Sequence, residues 1–191
     1  MSRNGETAPI RCGYRGYEII GMAPPSSGGI AVTQMLNVLE GFDLKANGYG
    51  SAKNLHLIAE SMRRAFADRA QFLGDPDFVS GMPVARLISK EYAETLRKTI
   101  NPNKASTSSP TSFTWPTESQ ETTHLSVVDA NRNAVSMTYT LEYGYGSRIV
   151  VPGAGFLLNN EMGDFNAGPG LTDDKGLVGT PPNLAQVGKR M

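Results

Sequence analysis

Apolar side chains recur with a helical period over the first half of the chain, and this pattern predicts two amphipathic helices. The first follows a proline-, serine- and glycine-rich break at 24–29, is capped by Ser26 or Ser27, and stops near Gly41. Its predicted buried face consists of Val32, Met35, Leu36 and Leu39.

The second predicted helix has the clearest pattern in the sequence. It ends near Pro76, because proline cannot continue a helix. Glu60 and Asp68 are assigned to its solvent-facing sides. Its predicted buried stripe consists of Leu55, Ile58, Ala59, Met62 and Phe66. A third helical stretch covers about 84–99.

The period changes to two in the second half of the chain. Residues 101–121 carry three prolines and many hydroxyl groups without periodicity, which predicts a mobile linker or an exposed loop. Residues 125–129 and 134–140 then alternate, which predicts a hairpin with a turn at 130–133. Shorter strands are predicted at 17–22 and 155–159. Helices followed by antiparallel strands indicate an α+β fold.

The composition of this 191-residue chain excludes some classes of function but does not identify one. Its 18 basic and 18 acidic residues balance, so no strong electrostatic argument favours nucleic acid as a partner. The single cysteine, Cys12, excludes an internal disulfide and a cysteine-based zinc site within one chain. No apolar run approaches the roughly 20 residues of a membrane span.

Thr122 is the first candidate for chemistry, because it lies where the predicted linker meets the hairpin. A threonine hydroxyl needs a base, and its own α-amino group can serve once the Glu121–Thr122 bond is cut. That amine titrates near pH 7.7–8.0, so it is partly unprotonated at neutral pH. Alternatively, the residues simply begin a strand, which threonine favours. We interpret His124 as structural.

Four further residues are candidates for the same site. In a hairpin, Thr140 lies on the strand next to Thr122, where its hydroxyl can hold the nucleophile's oxygen. Glu161 and Asp164 are three residues apart on a predicted turn, and with Glu142 they can bind an ammonium group. Strand propensity and a solvated acidic turn are the alternatives.

Other motifs are weaker. The break at 24–29 lacks the glycine spacing of a nucleotide cradle. His56 and Glu60 are one helical turn apart but lack a third metal ligand.

The segments at 22–44, 59–78, 118–147, 153–165 and 176–191 together resemble the gamma-glutamyltranspeptidase family of N-terminal nucleophile hydrolases. The order TTH, TYT and NNxMxDF carries the resemblance. It implies part of a four-layer αββα sandwich. It also implies that residues 1–121 are the C-terminal part of a large subunit, and residues 122–191 the N-terminal part of a small subunit.

The resemblance also implies roles for the candidate residues. Thr122 matches the nucleophile, released by autocatalytic cleavage between Glu121 and Thr122. Thr140 matches a residue that hydrogen-bonds the nucleophile. Glu142, Glu161 and Asp164 match positions that bind the substrate's α-amino group.

The implied reaction is transfer or hydrolysis of the γ-glutamyl group of glutathione and related amides through a threonyl ester. The acceptors are amino acids, dipeptides or water, and no cofactor or metal is expected. The implied partners are the two subunits of one precursor, without nucleic acid or a membrane span in this segment. The implied location is periplasmic, secreted or extracellular.

Departures from the family pattern leave alternatives open. Arg132 replaces a common glycine and Gly163 a usual aspartate. The family's N-terminal half, with an arginine for the substrate carboxylate, is not in the sequence. Neither are the Ser-Ser-Met segment and glycine pair that follow in the family. We therefore expect little activity from this chain alone. The alternatives are a truncated, non-catalytic paralogue or fragment needing a complementary chain, and a related acylase for another γ-linked amide.

Overall fold

The computed structural model describes residues 8–107, 122–165 and 181–191. These residues form two compact units, one made of 8–107 with 181–191 and the other of 122–165. Glu121 and most of the predicted linker lie outside the described residues. The described residues contain helices and two small antiparallel sheets, one in each unit. This mixture agrees with the α+β prediction.

The first unit begins with an antiparallel hairpin of β1 (Ile10–Tyr14) and β2 (Tyr17–Gly21), paired from Ile10 opposite Gly21. The sequence predicts β2 but not β1, because Arg11, Cys12 and Gly13 interrupt its apolar pattern. Five helices follow: α1 (Gly28–Glu40), α2 (Leu44–Asn47), α3 (Ala52–Phe72), α4 (Val84–Leu87) and α5 (Lys90–Lys98). The predicted third stretch is thus two helices, since Ser89 caps α5 by accepting the Tyr92 N–H at 3.1 Å.

The positions of α1 and α3 are confirmed, and Leu39 is buried as predicted, but most of the predicted buried faces are wrong. Val32 is 43% exposed and Leu55 is 58% exposed, although both were assigned to the core. Ser27 stands at the N-cap of α1 without a side-chain cap bond. The buried faces include, beside apolar residues such as Val38 and Leu57, many polar side chains: Thr33, Gln34 and Asn37 of α1, and Asn54, Glu60, Ser61 and Asp68 of α3.

Hydrogen bonds across helices explain why these polar residues are inside. The Gln34 amide donates to the Asp68 carboxylate, which also accepts the Tyr92 hydroxyl at 2.9 Å. Asn37 donates from Nδ2 to the Ile88 carbonyl at 2.8 Å. Burying a polar group is costly unless it is paired, and each pair here joins residues far apart in sequence. Two apolar clusters flank the network, centred on Val38 and Leu57 and on Ile30 and Leu87.

Glu60 joins α3 to the chain that follows α5. It is 1% exposed, and its carboxylate accepts the Ser106 N–H at 2.9 Å and a guanidinium N–H of Arg64 at 2.7 Å. Arg64 also donates to the Thr99 carbonyl at 2.9 Å. Burial raises the pKa of Glu60, but the hydrogen bonds from Ser106 and the charge of Arg64 outweigh it and lower the pKa to about 2.

Glu60→Gln is expected to lower the free energy of unfolding by about 1–3 kcal/mol at pH 7, because it removes the charge from buried hydrogen bonds. The folded pKa lies below the unfolded value near 4.5. The ionised carboxylate therefore stabilises the fold above pH 4.5, and this advantage disappears as the pH falls toward 2. Urea unfolding of both proteins at pH 7, 4 and 3 measures the difference. The control, Glu94→Gln, removes one exposed ion pair with Lys98 and should change stability by less than about 0.5 kcal/mol. A constant difference between wild type and Glu60→Gln across this range would contradict the assignment.

The second unit contains the predicted hairpin, formed by β3 (Thr123–Val128) and β4 (Ala134–Tyr139), with Thr123 opposite Tyr139. Asp129 closes the turn by accepting the N–H groups of Asn131 and Asn133 at 2.9 and 2.8 Å. Arg132 has a φ of 66°, a left-handed conformation that favours glycine. The predicted strand at 155–159 is reduced to a single bridge between Val150 and Leu157.

The two faces of this hairpin differ in chemistry. One carries apolar side chains that are 39–56% exposed: Leu125, Val127, Val135 and Met137. The other carries His124 and hydroxyl residues. In the part of the chain that the structure covers, no helix has the length and apolarity needed to cross a membrane.

Candidate active site

The register of the hairpin relates the two threonines of the predicted site. Thr122 immediately precedes β3, and Thr140 immediately follows β4. The ladder ends with the pair of Thr123 and Tyr139, so Thr122 and Thr140 are the next residues at its open end. Opposite residues of an antiparallel pair have Cβ atoms about 5 Å apart, and this end of the hairpin therefore keeps the two threonines on neighbouring segments. Thr122 is exposed and Thr140 half-buried. Glu121, on the other side of the predicted cleavage point, lies outside the described residues.

Thr140 is joined directly to Glu142. Its Oγ1 accepts the Glu142 N–H at 2.9 Å, a local turn that threonine hydroxyls commonly form. Glu142 has a φ of 73°, which is unfavourable for a residue with a side chain by roughly 1–3 kcal/mol. Arg15, Arg132 and Arg148 share this left-handed conformation, so the hydrogen bond with Thr140 is the feature that sets Glu142 apart from them.

The two remaining carboxylates lie on one short 3₁₀ turn, Glu161–Asp164. Asn160 fastens this turn to the Glu142 loop: its N–H donates to the Leu141 carbonyl at 3.1 Å, and its Oδ1 accepts the Tyr143 N–H at 3.2 Å. Sequence reasoning noted the asparagine pair of the motif but gave Asn160 no role. Amide side chains just before a turn are the signal that points to it.

Gly163 brings the same turn against Glu142. A Cβ built on Gly163 would lie 2.7 Å from Cδ of Glu142 and would overlap its carboxylate oxygens. A side chain at 163 would therefore push the Glu142 carboxylate away from this position. The glycine that departs from the family pattern leaves space for that carboxylate beside the acidic turn.

The carboxylates influence one another electrostatically. Burial raises the pKa of Glu161, and the negative charges of Asp164 and Glu142 raise it further. The Oε1 atom of Glu161 is buried and accepts no hydrogen bond from the described residues. A cation placed among these groups would relieve the repulsion and gain charge-assisted hydrogen bonds.

His124 keeps the structural interpretation. It shares the polar face of the hairpin with Thr122, but both ring nitrogens are engaged. Nδ1 lies 2.8 Å from Thr138 Oγ1, and Nε2 lies 3.1 Å from Ser136 Oγ.

The metal alternative gains no support from the geometry of its candidate residues. His56 Nε2 is 2.8 Å from the Asn101 carbonyl oxygen, and Glu60 is occupied by Ser106 and Arg64. Across 8–107, 122–165 and 181–191, no three His, Cys, Asp or Glu side chains are grouped to hold a metal ion.

Contacts thus connect four of the predicted residues. Thr140 bonds to Glu142, and the Glu142 carboxylate lies against the turn that carries Glu161 and Asp164. Thr122 precedes β3 at the same end of the hairpin at which Thr140 follows β4. A family model described as gamma-glutamyltranspeptidase matches residues 3–191. The chain belongs to the gamma-glutamyltranspeptidase family.

Individual relatives agree with this assignment. The glutathione hydrolase proenzyme of Escherichia coli K12 is 48% identical over 188 residues, which is 97% of this chain and 32% of the relative. An acylase ACY 1 proenzyme of Pseudomonas strain SE83 is 49% identical over 162 residues, covering 85% of this chain and 28% of the relative.

A solved structure, the gamma-glutamyltranspeptidase of Helicobacter pylori, matches with a TM-score of 0.50 at 53% identity. The match covers 51% of this chain and 28% of that one. The chain spans about one third of the length of the glutathione hydrolase proenzymes of Escherichia coli K12 and Pseudomonas strain A14.

Proposed function

We propose that this chain carries the nucleophile and the amino-group pocket of an enzyme that transfers or hydrolyses γ-glutamyl groups. Its donors are glutathione and other γ-glutamyl amides, and its acceptors are amino acids, dipeptides or water. The observation that supports the proposal is that Thr140, at the end of the hairpin where Thr122 lies, bonds to Glu142, whose carboxylate lies beside the turn with Glu161 and Asp164. A nucleophile and an ammonium-binding group must lie in one site to act on the two ends of one γ-glutamyl group.

Maturation is the first step of the proposed chemistry. The Thr122 hydroxyl attacks the carbonyl of Glu121, the amide rearranges to an ester, and water hydrolyses that ester. Residues 1–121 and 122–191 then belong to separate polypeptides, and Thr122 has a free α-amino group. Proenzyme appears in the names of both curated relatives described above, which supports this step.

Turnover uses the amine that maturation releases. It accepts the proton of the Thr122 hydroxyl as the oxygen attacks the γ-amide carbonyl, and it returns a proton to the leaving amine. The γ-glutamyl group is then held on Thr122 as an ester. An acceptor amine or water attacks this ester and regenerates the hydroxyl. Thr140, which lies at the same end of the hairpin as Thr122, holds the nucleophile's oxygen in line.

The three carboxylates orient the substrate. Its α-ammonium group enters between Glu142, Glu161 and Asp164, where its charge offsets their repulsion. Because Thr140 Oγ1 accepts the Glu142 N–H, the pocket and the hydroxyl pair are set at a fixed spacing. This spacing selects a γ-amide over an α-amide, since only one carbonyl of the bound glutamyl group can reach Thr122.

The rest of the proposal concerns the whole protein. Residues 122–165 form part of the inner layers of a four-layer αββα sandwich, and the apolar face of the hairpin packs inside it. The cleavage products form a large and a small subunit. The enzyme acts in the periplasm or outside the cell.

A second candidate function is hydrolysis of another γ-linked amide. The acylase ACY 1 relative is as similar to this chain as the glutathione hydrolase of Escherichia coli is. An acylase substrate that lacks the α-ammonium group would not need the three carboxylates. Dependence of turnover on that ammonium group therefore separates the two functions.

The direct test is maturation and turnover of the purified full-length protein. We expect two bands on a denaturing gel, with mass spectrometry placing a new N-terminus at Thr122. We also expect release of the amine from a γ-glutamyl anilide, and at least about 100-fold slower release from the analogue without the α-amino group. The proposal fails if the chain stays intact and no aromatic amine is released from the anilide. Equal rates on both anilides would favour the acylase function.

A further inference from the structure

Residues 181–191 form a strap on the loop that follows α3. The strap starts with the 3₁₀ turn Pro181–Asn183, which packs near the C-terminal end of α3. It belongs to the same compact unit as 8–107, although it lies more than 100 positions after the loop that it covers. The surface beneath it is the loop at 74–77.

Close backbone contact fixes one end of the strap. A Cβ on Gly74 would overlap the Pro182 carbonyl oxygen, so the absence of a side chain at 74 lets the two backbones meet. Lys189, only 8% exposed, donates from Nζ to the Pro182 and Leu184 carbonyls at 2.8 and 2.9 Å. The buried ammonium thus braces the strap internally.

An ion pair fixes the other end. Asp75 is 1% exposed and accepts three hydrogen bonds from Arg190: from the backbone N–H at 2.8 Å, from Nε at 3.0 Å and from Nη2 at 2.6 Å. The same Nη2 donates to Asp77 at 3.0 Å. A two-pronged arginine contact to a buried carboxylate is specific in geometry and stronger than an exposed pair.

The proposed cleavage site lies between the two residues of this contact. Asp75 precedes Thr122 and Arg190 follows it, so cleavage before Thr122 separates them onto different polypeptides. We propose that the strap at 181–191 is a non-covalent lock. It holds the C-terminal cleavage product on the N-terminal one through the contact of Arg190 with Asp75. This inference rests on the proposed maturation and adds the surface that keeps the matured pieces together.

Burial of Asp75 distinguishes the lock from exposed ion pairs of the same unit. Arg11 and Glu18 also form an arginine–carboxylate contact at 2.9 Å, but both side chains are more than half exposed. Exposed pairs contribute little, whereas removing the partner of a buried charge strongly weakens an interface. Arg11 and Glu18 also lie on the same side of the cut, so they provide a matched control.

The test compares Asp75→Asn, Arg190→Gln, their double variant and the control Glu18→Gln in the full-length, matured protein. The N-terminal product is immobilised through a terminal tag, and retention of the C-terminal product is measured over a urea series. We expect Asp75→Asn to raise the apparent Kd of the two products about 10- to 100-fold. The double variant should resemble the stronger single variant, and Glu18→Gln should match wild type.

A second measurement uses the uncleaved Thr122→Ala background. There, Asp75→Asn should speed hydrogen exchange of the Arg190 amide and its neighbours in 181–191, and Glu18→Gln should not. If Asp75→Asn does not fold, Arg190→Gln tests the same bond from its half-exposed end.

The outcomes separate the lock from the proposed function. Products that form but separate equally readily in wild type and Asp75→Asn refute the lock alone. A wild-type chain that never cleaves refutes the maturation, and the lock falls with it. Additive effects of the two single variants also overturn the lock, because they show that the residues do not act through each other.

Discussion

Thr122→Ala is expected to abolish both cleavage before residue 122 and turnover of γ-glutamyl substrates. The substitution removes the hydroxyl that attacks the Glu121 carbonyl, so the chain stays in one piece and the α-amino base never forms. Loss of a nucleophile in a hydrolase lowers kcat on the order of a million-fold, which is below detection in an anilide assay. A denaturing gel and release of the chromogenic amine measure the two effects.

The matched control is Thr123→Ala. Thr123 is the next residue, is also exposed, and pairs with Tyr139 on the opposite face of the hairpin. We expect this variant to mature and to turn over substrate within about twofold of wild type, in keeping with an exposed substitution. Cleavage that persists before residue 122 in Thr122→Ala, or is lost equally in Thr123→Ala, would remove the nucleophile assignment.

Asp164→Ala has the second-largest expected effect, and it should spare maturation. Asp164 lies on the turn Glu161–Asp164, and its charge raises the pKa of Glu161. Removing it takes away a charged hydrogen-bond partner of the substrate ammonium, which costs about 2–3 kcal/mol, or roughly 30- to 150-fold in kcat/KM. Cleavage uses no ammonium group, so the two bands should form at the wild-type rate.

Two comparisons sharpen this experiment. The exposed Glu91 of α5 provides a control, since Glu91→Gln removes a carboxylate from the other compact unit and should leave kcat/KM unchanged. An anilide without the α-amino group should be used equally by wild type and Asp164→Ala. If Asp164→Ala slows both anilides alike, Asp164 does not bind the ammonium.

Local patterns were sufficient to predict where most elements lie. Alternation identified β3 and β4, and the helical period identified α1 and α3, because both depend on neighbours within a few residues. The same patterns could not identify the buried faces. Glu60 and Asp68 are inside because Ser106 and Tyr92 donate hydrogen bonds to their carboxylates, at separations in sequence that no local pattern reports.

The candidate site was predictable in its residues but not in its geometry. Motif order identified Thr122, Thr140 and the carboxylates, whose roles remain proposals. The left-handed Glu142, the Asn160 bonds and the approach of Gly163 depend on how two loops meet. The contact between Asp75 and Arg190 joins residues 115 positions apart and has no sequence signature.

The close approach of Gly163 to Glu142 couples substitutions at these two positions. A side chain at 163 would meet the far end of the Glu142 side chain, so it is accommodated as the Glu142 carboxylate swings aside. A shorter residue at 142 removes that obstacle without any steric cost. Positions 142 and 163 are therefore expected to vary together, because a side chain gained at 163 changes the direction in which an acid at 142 points.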